Sequence, residues 1–314
     1  MHKILITGCA GFIGFHLTSV LLARDCFVYG IDNMVTGRQE NIDELTKKPN
    51  FKFIKQDVVE EAGFFEKVDF LFHFASPASP DDFDKLSLEI ALANSVGTLN
   101  MLKLAAKNQA YFILASTSEI YGDPLEHPQK ESYFGNVNPL GPRSVYDESK
   151  RFGETLTADF MRKSKIQGNI LRIFNTYGPR MRADDGRVVS NLITQVLKNK
   201  PLTLYGDGRQ TRSLCYIDDL VEVILEIGLS RKNPGETYNI GNDEEIEIRL
   251  LAEKIKDLTS SSSQIKFLAK RPDDPIKRRP DLSKVKRDFG WQAKVGLEEG
   301  LGKTIEYFKQ SLEY

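Results

Sequence analysis

The chain has 314 residues, 40% of them hydrophobic, enough to bury one large α/β core or two intimately packed domains. Its 43 Lys and Arg against 44 Asp and Glu leave a net charge of −1, which excludes nucleic acid as the main partner; the one dense basic run, Lys277-Arg278-Arg279, is too short to change that. Three widely spaced cysteines, Cys9, Cys26 and Cys215, with no C-x-x-C pair, speak against a disulfide framework or a zinc site and for a reducing compartment.

The first apolar run, Ile4-Leu5-Ile6, ends at a glycine motif after too few residues for a signal segment or a membrane span. The expectation is a soluble, cytoplasmic protein with no membrane partner. Lys3–Thr7 reads as a buried strand, Phe12–Ala23 as a helix and Phe27–Ile31 as a second strand. Phe51–Gln56, Phe70–Phe74 and Tyr111–Ala115 follow as strands, with a long helix from about Leu86 to Asn108 before the last. A second long helix spans Val145–Lys163 and leads to a strand at Asn169–Phe174. Continuous apolar strands alternating with helices predict a parallel sheet covered on both faces, hence a doubly wound Rossmann-type α/β fold. The second half is broken by Gly178-Pro179, Gly206-Asp207-Gly208 and Asp273-Asp274-Pro275 into shorter pieces. It reads as a smaller α+β substrate-binding domain over the sheet's carboxyl edge, with helices at Leu250–Leu258 and Leu297–Phe308. The expected division is 1–175 for nucleotide binding, with about 213–240 returning to it, and 176–314 mainly for substrate.

Between the first strand and first helix lies Gly8-Cys9-Ala10-Gly11-Phe12-Ile13-Gly14. Gly8 permits the tight turn, Gly11 lets backbone approach a pyrophosphate, and Gly14 lets helix and strand pack closely. The anion then sits at the positive end of the helix dipole. Asp32, closing the second strand, stands where a carboxylate accepts from the ribose 2′-hydroxyl and repels a 2′-phosphate, which predicts NAD over NADP. Arg38 nearby is the one residue that could accommodate such a phosphate. Asp57, after the third strand, suits either an adenine contact or a loop cap.

Tyr146 and Lys150 are four apart on a predicted helix and share a face. A lysine ammonium and an oxidised nicotinamide nearby would lower the tyrosine's pKa and make it a usable base for a sugar hydroxyl. Ser116-Thr117-Ser118-Glu119 follows the fifth strand at the edge where ligands of parallel sheets sit. Thr117 could share the reacting proton with Tyr146, and Glu119 would place a carboxyl beside the sugar; the same four residues would also serve as a hydrogen-bonded turn.

Five segments carry a wider likeness: Ala75–Pro80, Ser116–Pro124, Gly141–Lys150, Arg172–Met181 and Asp185–Asn191. Gln210-Thr211-Arg212, Asp273-Asp274-Pro275, Arg278 and Pro280-Asp281 extend it almost to the end. On these motifs the chain resembles the extended short-chain dehydrogenase/reductase family and, within it, the UDP-glucuronate decarboxylase (UDP-xylose synthase) branch. The resemblance implies NAD regenerated within each turnover, a UDP-sugar substrate, a 4-keto intermediate and a homodimer paired through the 86–108 and 145–163 helices. It implies Thr117, Glu119, Tyr146 and Lys150 in catalysis. Around NAD it implies Gly8, Gly11, Phe12, Ile13, Gly14, Asp32, Asn33, Thr36, Gly37, Asp57, Val58, Phe74, Ser76, Tyr146, Lys150 and Arg187. Around the substrate it implies Glu119, Tyr146, Asn175, Asn191, Tyr205, Gln210, Arg212, and Arg278 near the phosphates or the carboxylate. Family dehydratases have an aspartate before the glutamate, where this chain has Ser118, a poor acid. A 4-epimerase needs no carboxylate at Glu119. Another nucleotide-sugar 4-epimerase or 4,6-dehydratase, and a non-catalytic NAD-binding regulator, are the competing readings. Cys9, Phe15 and Leu92-Ala93 depart from the usual family pattern.

Overall fold

The computed structural model describes residues 1–314 except 62, 64, 65, 165, 271, 272, 313 and 314. Six strands come from the first half: β1 (Lys3–Thr7), β2 (Phe27–Asp32), β3 (Phe51–Lys55), β4 (Phe70–His73), β5 (Tyr111–Thr117) and β6 (Gly168–Ile173). Thr237–Ile240 pairs in parallel with β6 and completes a seven-stranded parallel sheet. From one edge the order is β3-β2-β1-β4-β5-β6-Thr237–Ile240. Chain direction across the sheet therefore reverses between β1 and β4, opening a crevice at their carboxyl ends.

Alternation along β1 shows how both faces are covered. Ile4 and Ile6 join a cluster with Leu17 and Leu21 of α1 (Phe12–Ala23), while Leu5 faces the opposite cluster with Leu71, Phe112 and Leu102. Successive strand residues point to opposite faces, so a run apolar at every position is what a sheet covered on both sides requires. Leu102 belongs to α4 (Thr98–Asn108), which packs beside α5 (Ser144–Ser164). The other face also receives Ile217–Ser230, a helix the sequence reading did not anticipate. Asp218, Glu222 and Glu226 recur at every fourth position and mark a helix by period, a signal the apolar residues between them obscure. Gln39–Leu45 (α2), Val188–Leu197 and Ser283–Phe289 are further helices not foreseen.

Two boundaries move in ways that matter. The fifth strand continues to Thr117, so Ser116 and Thr117 end a strand and do not form a turn. The expected 86–108 helix is interrupted: α3 (Ser87–Leu92) passes through a wide π turn at Ala93–Gly97 before α4. Within that turn Asn94 donates to the Ser149 hydroxyl at 3.0 Å, tying the bulge to α5 one residue from Lys150. The smaller lobe holds a three-stranded sheet, with Thr211–Ser213 between Glu245–Glu247 and Lys277–Arg278, and a parallel pair of Leu202–Tyr205 with Ile265–Leu268.

Candidate active site

The main cavity opens at the reversal between β1 and β4 and runs from the glycine loop to Glu119. At its floor Gly8 adopts φ +77°, and a Cβ there would come within 2.8 Å of the Phe74 backbone on the neighbouring strand. A Cβ on Gly14 would lie 2.7 Å from the Gly8 carbonyl carbon, so only glycine lets α1 start this close to β1. The Gly11 amide donates to the Gly8 carbonyl at 3.1 Å and tightens the loop. Phe12, Ile13, Thr36, Phe74 and Ser76 also face the cavity.

Asp32 lies beneath this loop, buried, accepting from the Ala10 amide at 3.0 Å and the Met34 amide at 2.9 Å. Burial raises its pKa, offset in part by those two amides, while Asp57 adds to the rise. Asn33 donates to Asp57 at 2.8 Å, and Asp57 accepts from the Val59 amide at 2.9 Å, so Asp57 also caps its own turn. Gly37 is small enough to pass over Ala10 and Asp32. Val58 is buried against the Gly97 end of the π turn. Arg38 is engaged by Glu40 at 3.0 Å and by the Tyr307 hydroxyl at 2.9 Å, which turns its charge toward protein partners. The departures at Cys9 and Phe15 are both buried. Cys9 fills space beside Gly30 and Phe51, Phe15 lies under Arg180, and neither lines the cavity.

At the other end Tyr146 is buried and stacked on Phe83, ring centroids 4.8 Å apart. Burial pushes its pKa up to about 12, opposed by a hydrogen bond from Thr117. Lys150 lies 5.9 Å from the Tyr146 ring and donates to the Ala115 carbonyl at 2.9 Å. Burial takes Lys150 down to about 8, with Glu154 pulling the other way. The expected lowering is by the lysine and an oxidised nicotinamide together, and the lysine's share of it does not offset burial. Desolvation of a phenolate outweighs a cation at that distance.

Glu119 completes the wall. Its amide donates to the Thr117 hydroxyl at 3.2 Å, and its carboxylate is held by both Arg143 and Arg278. Burial alone would raise its pKa, but the two guanidinium groups hold it well below the usual carboxylate range. Arg278 is not part of the cavity lining and sits behind Glu119, against its carboxylate and the Gly122 carbonyl. Arg143 was not assigned a role from sequence. The signal was its place three residues before Tyr146, at the entry to the same helix.

Of the remaining predicted positions, Asn175 and Arg187 line the cavity. Arg187 donates to Asp185 at 3.0 Å and to the Ala78 carbonyl at 3.1 Å. With the Ser79 hydroxyl on the Asp185 carbonyl, and Arg182 on Asp82 at 3.1 Å, it joins the two lobes across the cavity mouth. Asn191, Tyr205, Gln210 and Arg212 belong to the smaller lobe outside this cavity. Gln210 donates to the Tyr205 carbonyl at 2.7 Å, and Arg212 is held by Asp274 at 3.1 Å and the Pro275 carbonyl at 2.9 Å.

Residues 5–304 match the family model described as GDP-mannose 4,6 dehydratase. The chain is 47% identical over 310 residues to UDP-glucuronic acid decarboxylase 1 of Arabidopsis thaliana, covering 99% of this chain and 70% of that one. It is 48% identical over 314 residues to decarboxylase 6 of the same plant, covering 99% and 90%. The chain belongs to the UDP-glucuronic acid decarboxylase family. Among solved structures, UDP-glucuronic acid 4-epimerase of Bacillus cereus, determined with UDP-glucuronic acid and NAD, superposes with a TM-score of 0.88 at 32% identity over 98% of this chain and 99% of that one. As a member of an NAD-dependent decarboxylase family with a Rossmann fold, the chain is an enzyme. The tight glycine loop, the passage over Gly37 and the buried Asp32 carboxylate fit a dinucleotide with an unphosphorylated ribose.

Proposed function

We propose that this decarboxylase-family enzyme converts UDP-glucuronate to UDP-xylose and carbon dioxide through a 4-keto sugar, with NAD regenerated in each cycle. Identity of nearly one half to UDP-glucuronic acid decarboxylases along the whole chain carries this reading. NAD, held by the glycine loop and Asp32, would supply the hydride acceptor and donor for C4 of the sugar.

The chain's own groups do the rest. Tyr146 removes the O4 proton, and Thr117, hydrogen-bonded to it, holds the reacting hydroxyl in line. Burial pushes the Tyr146 pKa up to about 12, and the positive charge of an oxidised nicotinamide beside it would favour the base form. Lys150, anchored on the Ala115 carbonyl, faces the same ring and holds its orientation. The C4 ketone is beta to the sugar's carboxylate, so electrons left by departing carbon dioxide pass into an enolate, which takes up a proton from solvent at C5 before C4 is reduced and Tyr146 returns its proton to O4. Glu119 flanks that end of the sugar with the two arginines. Asn175, Asn191, Tyr205, Gln210 and Arg212 hold the UDP part, and Arg187 helps close the cavity mouth. Ser118, buried beside Glu119, is too weak an acid to expel a C6 hydroxyl as water, which disfavours the dehydratase reading. The test is product analysis: UDP-glucuronate gives carbon dioxide and a UDP-pentose, and UDP-glucose gives no 4-keto-6-deoxy product. An isobaric uronate epimer without carbon dioxide would instead establish the epimerase.

The working unit is a homodimer paired through α3–α4 and α5. Leu88, Val96 and Phe152 leave apolar surface on these helices, with Leu88 66% exposed. Among the described residues no helix is long and apolar enough to cross a membrane, and the three cysteines are buried and unpaired. A cytoplasmic location suits both facts.

A further inference from the structure

The carboxylate of Glu119 carries two cations, and they are not equivalent. Arg278 is embedded: its side chain is 2% exposed, it also binds the Gly122 carbonyl at 3.2 Å, and its strand is paired with Thr211–Ser213. Arg143 lies at the cavity wall, with its guanidinium 5.4 Å from the Phe83 ring that stacks on Tyr146. Among the described residues Glu119 is the only hydrogen-bonding partner of its guanidinium, which lines both this cavity and a neighbouring pocket walled by Asp147 and Asp274.

Charge counting around this pair leaves a surplus. Asp274 is neutralised by Arg212 at 3.1 Å, and Glu119 offsets only one of Arg143 and Arg278. Of the other acids near Arg143, Asp123 and Asp273 lie across the neighbouring pocket, while Asp147 is buried, has no ion-pair partner among the described residues, and has an Oδ1 without a hydrogen-bond partner. Burial first, and the Glu119 charge second, push its pKa up, so it adds little negative charge. Within this cluster two guanidinium groups share one carboxylate, beside Tyr146 and Thr117 at the Glu119 end of the cavity. A desolvated charge is costly until an anion meets it, and a guanidinium fork suits a planar carboxylate.

We infer that Arg143 is the specificity-determining residue for the acid sugar: on binding it exchanges Glu119 for the substrate's carboxylate, leaving Glu119 paired with Arg278. The inference rests on the uronate reading above and adds the group that selects it. A neutral hexose leaves the surplus unmatched. A decarboxylated product does the same, so Arg143 returns to Glu119 as product leaves.

The test uses the NAD-loaded enzyme, titrated with UDP-glucuronate and with UDP-xylose, which carries the same nucleotide and no carboxylate. In Arg143→Gln, affinity for UDP-glucuronate falls at least ~30-fold while that for UDP-xylose changes by less than about threefold. Arg143→Lys, which keeps the charge and loses the fork, gives an intermediate loss for UDP-glucuronate alone and serves if the Gln variant does not fold. Equal loss for both ligands in the Lys variant, or unchanged affinity for UDP-glucuronate, would overturn the assignment. Carbon dioxide release by the wild type is scored separately. Its absence defeats the reaction reading, whereas release combined with an indifferent Arg143 defeats only this inference.

Discussion

Tyr146 and Lys150 set opposite demands on one buried pocket. Burial holds the phenol proton on Tyr146 and weakens the proton on Lys150, so each resists the charged form that chemistry needs. Replacing Tyr146 with Phe removes only the ionisable hydroxyl; NAD binding should persist while turnover falls at least ~100-fold, measured under saturating substrate. Lys150 also makes a stability prediction. Its pKa in the folded chain is about 8 against 10.5 for a free lysine, so between those values the unfolded chain binds the extra proton and stability rises with pH. Lys150→Met should therefore be more stable than wild type near pH 7, with the gap in thermal midpoint closing as pH approaches 10. A gap independent of pH would show that burial leaves the Lys150 pKa unshifted. Asp32 makes the third residue-scale prediction: NAD binds at least ~10-fold more tightly than NADP in direct titration, because the buried carboxylate repels a 2′-phosphate and Arg38 is held by Glu40 and Tyr307.

Elements explain why some of the site was readable from sequence and some was not. The glycine loop, Asp32 and the Tyr146–Lys150 pair each lie within one strand–helix unit, where spacing fixes geometry. Glu119 with Arg278 spans 159 positions, and no periodicity in either segment announces the pairing. Nor does sequence show the π turn at Ala93–Gly97, since an extra backbone residue leaves the apolar pattern nearly unchanged. Arg172 on β6 and Glu154 on α5 form a further partly buried, two-armed pair, at 3.0 and 2.8 Å, with both side chains 13% exposed. Glu154 is the carboxylate that opposes the downward shift of Lys150, so this pair joins sheet, helix and active site. Arg172→Met would leave Glu154 uncompensated and should cost about 3–5 kcal/mol, read from the denaturant midpoint of the ligand-free enzyme.

At the scale of the molecule, one reversal of strand order places everything. The loops that leave the carboxyl ends of the paired strands β1 and β4 part, the glycine loop fills one side of the gap, and β5 delivers Thr117 and Glu119 to the other. The smaller lobe then crosses the opening through Arg182 and Arg187 and brings Arg278 to Glu119. That arrangement lets oxidation at C4, loss of the carboxylate and return of the hydride occur without release of the sugar. The most direct measurement is the mass spectrum of the product made from UDP-glucuronate carrying deuterium at C4, with no NADH supplied. Decarboxylation with internal hydride return predicts a UDP-pentose that has lost carbon dioxide and kept the deuterium at C4. A uronate of unchanged mass, or a pentose from which the label has been lost, would contradict it.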